Sequence, residues 1–316
     1  MDSKRPSNIL IFVANYMLFF FASIAKFIYT PLLSPLKQSL QINSTKAGLL
    51  ITLVFLGYAL TRFPSGILTD IIGCKKTIIY SSLLMGTNLL LVSFAPNYII
   101  LAILTFLMGA TTGLYTTAGY TFSVIIGKQG KETVSTALLE LFGGLAGLIA
   151  PLVVILFLEK LHLKWNSLFF VIGIGVFFSI GIFSYLMNDH DIKQTEDKSK
   201  EFRSFKTELK EMFDVFRRPN IRNFIIWATL VGGFGCFAIK GFNSFIPTAL
   251  AENMNYSFSK ANQLFAIIAI SGLITKMAIA WLADKFGTKK VLGIIYILNI
   301  IFFILFTSNP GHFFIV

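Results

Sequence analysis

Long apolar runs alternate with short polar segments along almost the whole chain. A helix needs about 20 consecutive apolar residues to cross the hydrocarbon core of a bilayer. Nine runs reach that length, and a tenth begins near Gly311 and stops at Val316. The predicted spans cover residues 9–31, 46–69, 76–95, 97–120, 132–157, 165–187, 222–250, 259–282 and 288–307. The pattern therefore predicts an all-α membrane protein.

Proline residues fall where several of these runs end. Pro31 and Pro35 follow the first run, and Pro96 separates the third run from the fourth. Proline and glycine are typical of positions where a chain leaves a regular element. We therefore expect the first helix to end near Pro31.

A segment at the end of the second run recurs late in the chain. The offset is 214 for every matched pair, and these pairs are Arg62 and Lys276, Asp70 and Asp284, Gly73 and Gly287, and Lys75–Lys76 and Lys289–Lys290. Similarity at a fixed offset indicates an internal repeat. The sequence therefore predicts two homologous halves.

The first copy resembles the loop signature G-x-x-x-D-R-x-G-R-R of the major facilitator superfamily, which lies between helices 2 and 3. It supplies Gly66, Asp70, Gly73, Lys75 and Lys76. The second copy resembles the weaker signature between helices 8 and 9, with Asp284, Gly287, Lys289 and Lys290. The first copy departs from the family at Ile71 and the second at Ala280. The resemblance implies that these residues form inner turns that latch one half to the other.

The resemblance also implies a domain organisation. The family fold has twelve helices in two bundles of six, and the nine full spans with the start of a tenth would be a truncated form of it. The expected divisions are an N-terminal bundle at 1–187, a cytoplasmic linker at 188–221 and an incomplete C-terminal bundle at 222–316. Within the linker, the apolar spacing between residues 205 and 216 predicts an amphipathic helix on the inner membrane face.

Composition supports a membrane protein rather than a nucleic-acid-binding one. The chain is 55% hydrophobic and 13% charged, whereas a soluble protein has about 25% charged residues. The net charge is +12, but most Lys and Arg residues outside the spans fall in segments on one side of the membrane. By the positive-inside rule this side is the cytoplasm. We expect a multi-pass protein of the plasma or inner membrane with a cytoplasmic N-terminus.

Four basic residues lie inside predicted spans. They form two pairs at the same offset of 214, Lys26 with Lys240 and Arg62 with Lys276. A charge at the bilayer centre costs at least about 2.5–3.5 kcal/mol, so such residues usually face a cavity or a partner. The pairs therefore predict a pathway for an anion. The alternative is that these long side chains extend to the membrane surface and bind no substrate.

Polar residues accompany these cations at helical spacing. Tyr29 and Asn243 follow Lys26 and Lys240 by three residues, which places each on the face of its cation. Tyr115 lies on a polar face of the fourth helix that is rich in small residues. The predicted substrate-binding residues are Lys26, Arg62, Lys240, Lys276, Tyr29, Asn243 and Tyr115.

The matched cations resemble those of the organophosphate:phosphate antiporter branch, which holds a phosphate between helices 1 and 7. That branch has Arg at the positions of Lys26 and Lys240. Arg binds phosphate as a bidentate fork, whereas Lys binds as a point charge. With Lys at both positions, carboxylates are an alternative substrate class to organic phosphates. The pair in helices 2 and 8 is similar to that of nitrate and nitrite transporters.

Glu140 is the only carboxylate well inside a span. Burial would raise the pKa of such a group and allow it to exchange protons near neutral pH. Glu140 is therefore predicted to couple transport to protons or to act as counter-ion to one of the cations.

The sequence contains neither a phosphate-binding loop for ATP nor a metal-ligand spacing of His and Cys. It therefore predicts a protein that is not an enzyme and has no cofactor. The resemblance implies a secondary active transporter that moves a small organic or inorganic anion by alternating access. Its partners would be the solute, a coupling ion or counter-substrate, and membrane lipid. The alternatives are a non-transporting or inactive truncated membrane protein and an exporter of neutral or amphipathic compounds.

Overall fold

The computed structural model describes residues 8–127, 132–187 and 217–308, and within them the chain is helical. The α-helices are α1 (Asn8–Phe27), α2 (Tyr29–Leu40), α3 (Ser44–Ile72), α4 (Cys74–Ser93), α5 (Tyr98–Ile126), α6 (Glu132–Ile155), α7 (Trp165–Leu186), α8 (Pro219–Glu252), α9 (Phe258–Phe286) and α10 (Thr288–Ser308). A π-helical turn, Leu156–Lys160, extends α6. The predicted amphipathic helix and the run that starts near Gly311 lie outside the described residues.

The first membrane element differs from the prediction, because the chain stays helical beyond Pro31. It bends after Phe27 and continues as α2 to Leu40, with Pro35 inside that helix. Proline has no backbone N–H, so Pro31 cannot donate to the carbonyl of Phe27, four residues earlier. Pro31 therefore interrupts the helix at the preceding turn, and α2 ends only at Gln41, which has a left-handed φ of 51°.

The internal repeat is visible in the backbone. Gly73 separates α3 from α4 with φ 85°, and Gly287 separates α9 from α10 with φ 88°. The carbonyl of each glycine accepts a hydrogen bond from the N–H four residues later, at 3.1 Å and 3.3 Å respectively. Positive φ favours glycine because it has no Cβ. The two halves thus share the same turn at the predicted offset.

Helices α3 and α5 approach each other closely because glycine faces the partner backbone. At Gly57, a Cβ atom would overlap the carbonyl of Phe106, and at Gly109 it would overlap the carbonyl of Val54. Small residues at a helix interface allow this approach within a membrane. The contact holds α3 at a fixed distance and rotation beside α5.

The main apolar core lies among helices α1 to α7 and includes buried residues from Ile11 to Met187. A smaller cluster joins the facing ends of α8 and α9 through Ile246, Leu250 and Ala261. By length and composition, five of the described helices can cross a membrane, namely α1, α3, α5, α6 with its π-helical turn, and α7. Many of their large apolar side chains are exposed, as expected of surfaces that contact lipid.

Candidate functional site

Lys26 lies in the last turn of α1 and is only 8% exposed. Its ammonium group is 4.2 Å from the centre of the Tyr58 ring and 5.6 Å from that of Phe27. The face of an aromatic ring attracts a cation, and the attraction is larger where water is excluded. Aromatic rings therefore stabilise this buried charge.

Arg62 lies on α3, one turn after Tyr58, and is exposed. Its guanidinium carbon is 5.4 Å from the centre of the same Tyr58 ring. The ammonium and guanidinium groups are thus no farther apart than the sum of their distances to that ring. The structure brings together two predicted cations from different helices at one aromatic ring.

Tyr58 is absent from the predicted site. Its spacing of four residues from Arg62 places the two side chains on one helix face, and this spacing was the available signal. The sequence alone does not indicate that α1 packs where Lys26 reaches the same ring.

Hydrogen bonds to α5 fix the rotation of α3 at this position. Thr61 donates to the carbonyl of Ala110 at 2.8 Å, and Ser65 donates to the carbonyl of Leu114 at 2.5 Å. Thr117 of α5 donates to the carbonyl of Arg62 itself. These bonds position the backbone that carries Tyr58 and Arg62.

Tyr29 lies in the protein core. It is fully buried, its hydroxyl forms a 2.9 Å hydrogen bond with Thr105, and its ring packs 5.3 Å from that of Phe169. Tyr29 is the first residue of α2 and follows the bend after Phe27. In this conformation it connects α2, α5 and α7.

Tyr115 also lies in a buried polar network, between α1 and α5. Its hydroxyl contacts both the carbonyl and the side-chain oxygen of Asn15, at 2.8 Å and 2.9 Å. Asn15 in turn donates to the carbonyl of Gly119 and the hydroxyl of Ser123. Buried polar groups need such partners, and the network joins two helices of the N-terminal half.

The predicted residues of the second half are only partly described. Lys240 lies within α8 and Lys276 within α9, but their side chains lie outside the described part of the structure. Asn243 is half-buried on α8. The matched cations of the two halves therefore stay a prediction.

Glu140 differs from the sequence expectation in its environment. It is exposed on α6 and forms no ion pair with a described side chain. Its roles in proton coupling and as counter-ion stay predictions.

The model of the Major Facilitator Superfamily matches residues 16–315 of the chain. The chain belongs to this superfamily. This finding confirms the predicted all-α major facilitator fold and an integral, multi-pass membrane protein.

Two relatives with curated names align over most of the chain. The gentisate transporter of Corynebacterium glutamicum is 23% identical over 270 residues, which are 82% of this chain and 58% of that protein. The putative metabolite transport protein YwtG of Bacillus subtilis is 26% identical over 314 residues, which are 88% of this chain and 66% of that protein. The chain thus spans about 60% of the length of these relatives.

Solved transporter structures share the fold. A bacterial homologue of the human lysosomal transporter Spinster, inward-facing and unoccupied, has a TM-score of 0.71 with 16% identity over 91% of this chain and 64% of its own. The nucleoside transporter NupG has a TM-score of 0.64 with 12% identity over 89% of this chain and 68% of its own.

The superfamily signature lies at the two glycine turns. Asp70 is exposed near the end of α3, and Lys76 is exposed at the start of α4. A Cβ atom at Gly66 would meet nothing within 4 Å. Lys289 and Lys290 are exposed at the start of α10, whereas the side chain of Asp284 lies outside the described part. A latch between these turns stays a prediction.

Proposed function

We propose that this protein is a secondary active transporter that moves a small organic anion across the membrane by alternating access. The single observation that carries this proposal is the convergence of Lys26 and Arg62 on Tyr58. Two cations held at one place within a membrane protein make a site that favours a negative ligand.

The geometry favours a carboxylate, alone or as part of an aromatic acid. The planar guanidinium of Arg62 can bind both oxygens of a carboxylate, and Lys26 can add a point charge. The rings of Tyr58 and Phe27 lie beside these charges and can contact the apolar part of the solute. Lys240 and Lys276 would complete the site from the second half.

The names of relatives support an organic anion. One relative is named a gentisate transporter. A probable sulfoacetate transporter of Cupriavidus necator is 26% identical over 141 residues, which are 44% of this chain and 32% of that protein. Both names denote small organic acids that are anionic near neutral pH.

Proton coupling through Glu140 is part of the proposal. Its support is the position of this carboxylate within the apolar run of α6, where a charge is costly and usually has a function. The excess of Lys and Arg in the predicted cytoplasmic segments supports an inner or plasma membrane location with a cytoplasmic N-terminus.

Ligand-dependent thermal stabilisation of the purified protein tests the proposal. The panel contains benzoate, short aliphatic carboxylates, phosphate monoesters and neutral solutes of similar size. A ligand at 100 times its Kd stabilises a protein by about 2.7 kcal/mol, so binding raises Tm. We expect carboxylates to stabilise the protein and the effect to disappear in Lys26→Ala and Arg62→Ala.

The matched control is Lys260→Ala, which removes an exposed lysine at the start of α9. Its response to carboxylates should equal that of the unchanged protein. Equal stabilisation by neutral solutes, or an unchanged response in Lys26→Ala, would contradict the proposal.

A further inference from the structure

One ion pair joins the two halves of the repeat. The ammonium of Lys37 donates to both carboxylate oxygens of Glu252, at 2.7 Å and 2.6 Å. Lys37 lies in the last turn of α2, and Glu252 is the last residue of α8. The offset of 214 relates Lys37 to Ala251, so the two partners end equivalent helices.

This pair lies at the surface of the protein, and Lys37 is its more protected partner. The side chain of Lys37 is 16% exposed and that of Glu252 is 38% exposed. An ion pair in full contact with water contributes little because solvent screens it. Loss of Glu252 would leave the largely covered ammonium of Lys37 without its counter-charge.

Apolar contacts close the same end of the molecule. A Cβ atom at Gly48, near the start of α3, would lie 2.8 Å from the ring of Phe245 on α8, so the two helices meet without a gap. Phe258, the first residue of α9, packs against the core of α1 to α7. Contacts between the halves thus surround the Lys37–Glu252 pair.

The closed end lies beside the candidate site. Gly48 precedes Tyr58 by ten residues on α3, which corresponds to about 15 Å along a helix. Lys37 likewise follows Lys26 along α1 and α2. The pair therefore stands between the site and the face of the membrane at which α2 and α8 end.

Two buried polar atoms indicate that this closed arrangement has a cost. The hydroxyl of Thr248 and the side-chain oxygen of Asn262 find no hydrogen-bond partner among the described residues. Thr248 lies one turn before Glu252, and Asn262 lies one turn into α9. A buried polar group without a partner is destabilising, and water could satisfy both if this end opened.

We propose that Lys37 and Glu252 form an ion-pair gate that keeps the site closed on the side where α2 and α8 end. The unpartnered atoms of Thr248 and Asn262 favour opening, and the ion pair opposes it. Loss of either charge shifts the population towards a state that is open on this side. The gate rests on the alternating access of the proposed function.

Distances between spin labels on the two halves test the gate. Labels at Thr45 on α3 and Gln263 on α9, both exposed, report on this end in a background with Cys74 and Cys236 replaced by serine. In the labelled protein that keeps Lys37 and Glu252, the two labels should give one short distance. Lys37→Gln and Glu252→Gln should each raise the ratio of long to short distances by about two- to fivefold.

A charge swap separates the ion pair from other effects of substitution. The double variant Lys37→Glu with Glu252→Lys should restore the short distance, and Lys46→Gln, which removes another lysine at this end, should leave it unchanged. Unfolding temperatures confirm that each labelled variant is folded. If one single variant fails to fold, the other and the swap give the answer.

Unchanged distances in the folded single variants would overturn the gate, as would a swap that stays open. The experiment contains no substrate, so its outcome is independent of anion binding. A gate that responds as expected while no anion stabilises the protein would leave the gate intact and refute the proposed substrate class.

Discussion

Tyr58 connects the two cations of the candidate site, which belong to different helices. Its ring lies 4.2 Å from the ammonium of Lys26 and 5.4 Å from the guanidinium carbon of Arg62. An aromatic face contributes about 0.5–2 kcal/mol to each such contact, depending on solvent exposure. We therefore propose that Tyr58 is a positioning residue that holds both charges where one solute can contact them.

Substitutions of Tyr58 test this role. Tyr58→Phe keeps the ring face and should bind carboxylates like the unchanged protein. Tyr58→Leu removes it and should weaken carboxylate binding by about 3- to 10-fold, measured as Kd by calorimetry. Equal binding by the Leu and Phe variants would show that the ring does not position the cations.

Asn15 has a structural role at the interface between α1 and α5. It accepts from Tyr115 and donates to Gly119 and Ser123. Asn15→Leu leaves buried polar groups unpaired, each at a cost of about 1–3 kcal/mol. We expect a clear fall in the thermal unfolding temperature of Asn15→Leu in detergent. An unchanged unfolding temperature would argue against the network.

The sequence indicates the cations of the candidate site more directly than its uncharged residues. Lys26 and Arg62 are identifiable because a charge within an apolar run is costly wherever it points. Tyr29 and Tyr115 occur at suitable spacings, but spacing gives only the helix face and not the neighbour that covers it. The structure places both in buried contacts between helices.

At the scale of elements, the apolar runs predicted the helices well because hydrocarbon thickness fixes their length. The first run was predicted as one helix that ends near Pro31, whereas α1 ends at Phe27 and α2 continues from Tyr29 to Leu40. A proline removes one hydrogen bond, and the chain here resumes the helix after a single residue, Ile28. The glycine turns at Gly73 and Gly287 were predictable because positive φ favours glycine.

The close approach of α3 and α5 can be tested by a substitution at their interface. In Gly109→Ala the new methyl group would overlap the backbone of Val54, so α3 must move away from α5 and carry Arg62 with it. We expect Gly109→Ala to lower both the unfolding temperature and the carboxylate affinity.

Gly66→Ala is the matched control, because its methyl group would meet nothing within 4 Å. It should keep the unfolding temperature of the unchanged protein, measured in the same detergent. Equal effects of the two substitutions would contradict the close approach of α3 and α5.

At the scale of the whole molecule, the fold follows from a repeat of about 200 residues whose two copies make the same glycine turn. The predicted matching of Lys26 with Lys240 extends that symmetry to the site. Such a symmetric fold can bind a solute between its halves and expose it to either side.

Counterflow in proteoliposomes tests the central claim, that Lys26 and Arg62 bind an organic anion for transport. Vesicles are loaded with unlabelled benzoate and diluted into trace labelled benzoate. We predict transient accumulation of label with the unchanged protein and with Lys260→Ala, and none with Lys26→Ala or Arg62→Ala. Accumulation that persists in both site variants would contradict the account, as would its absence for every carboxylate tried with the unchanged protein.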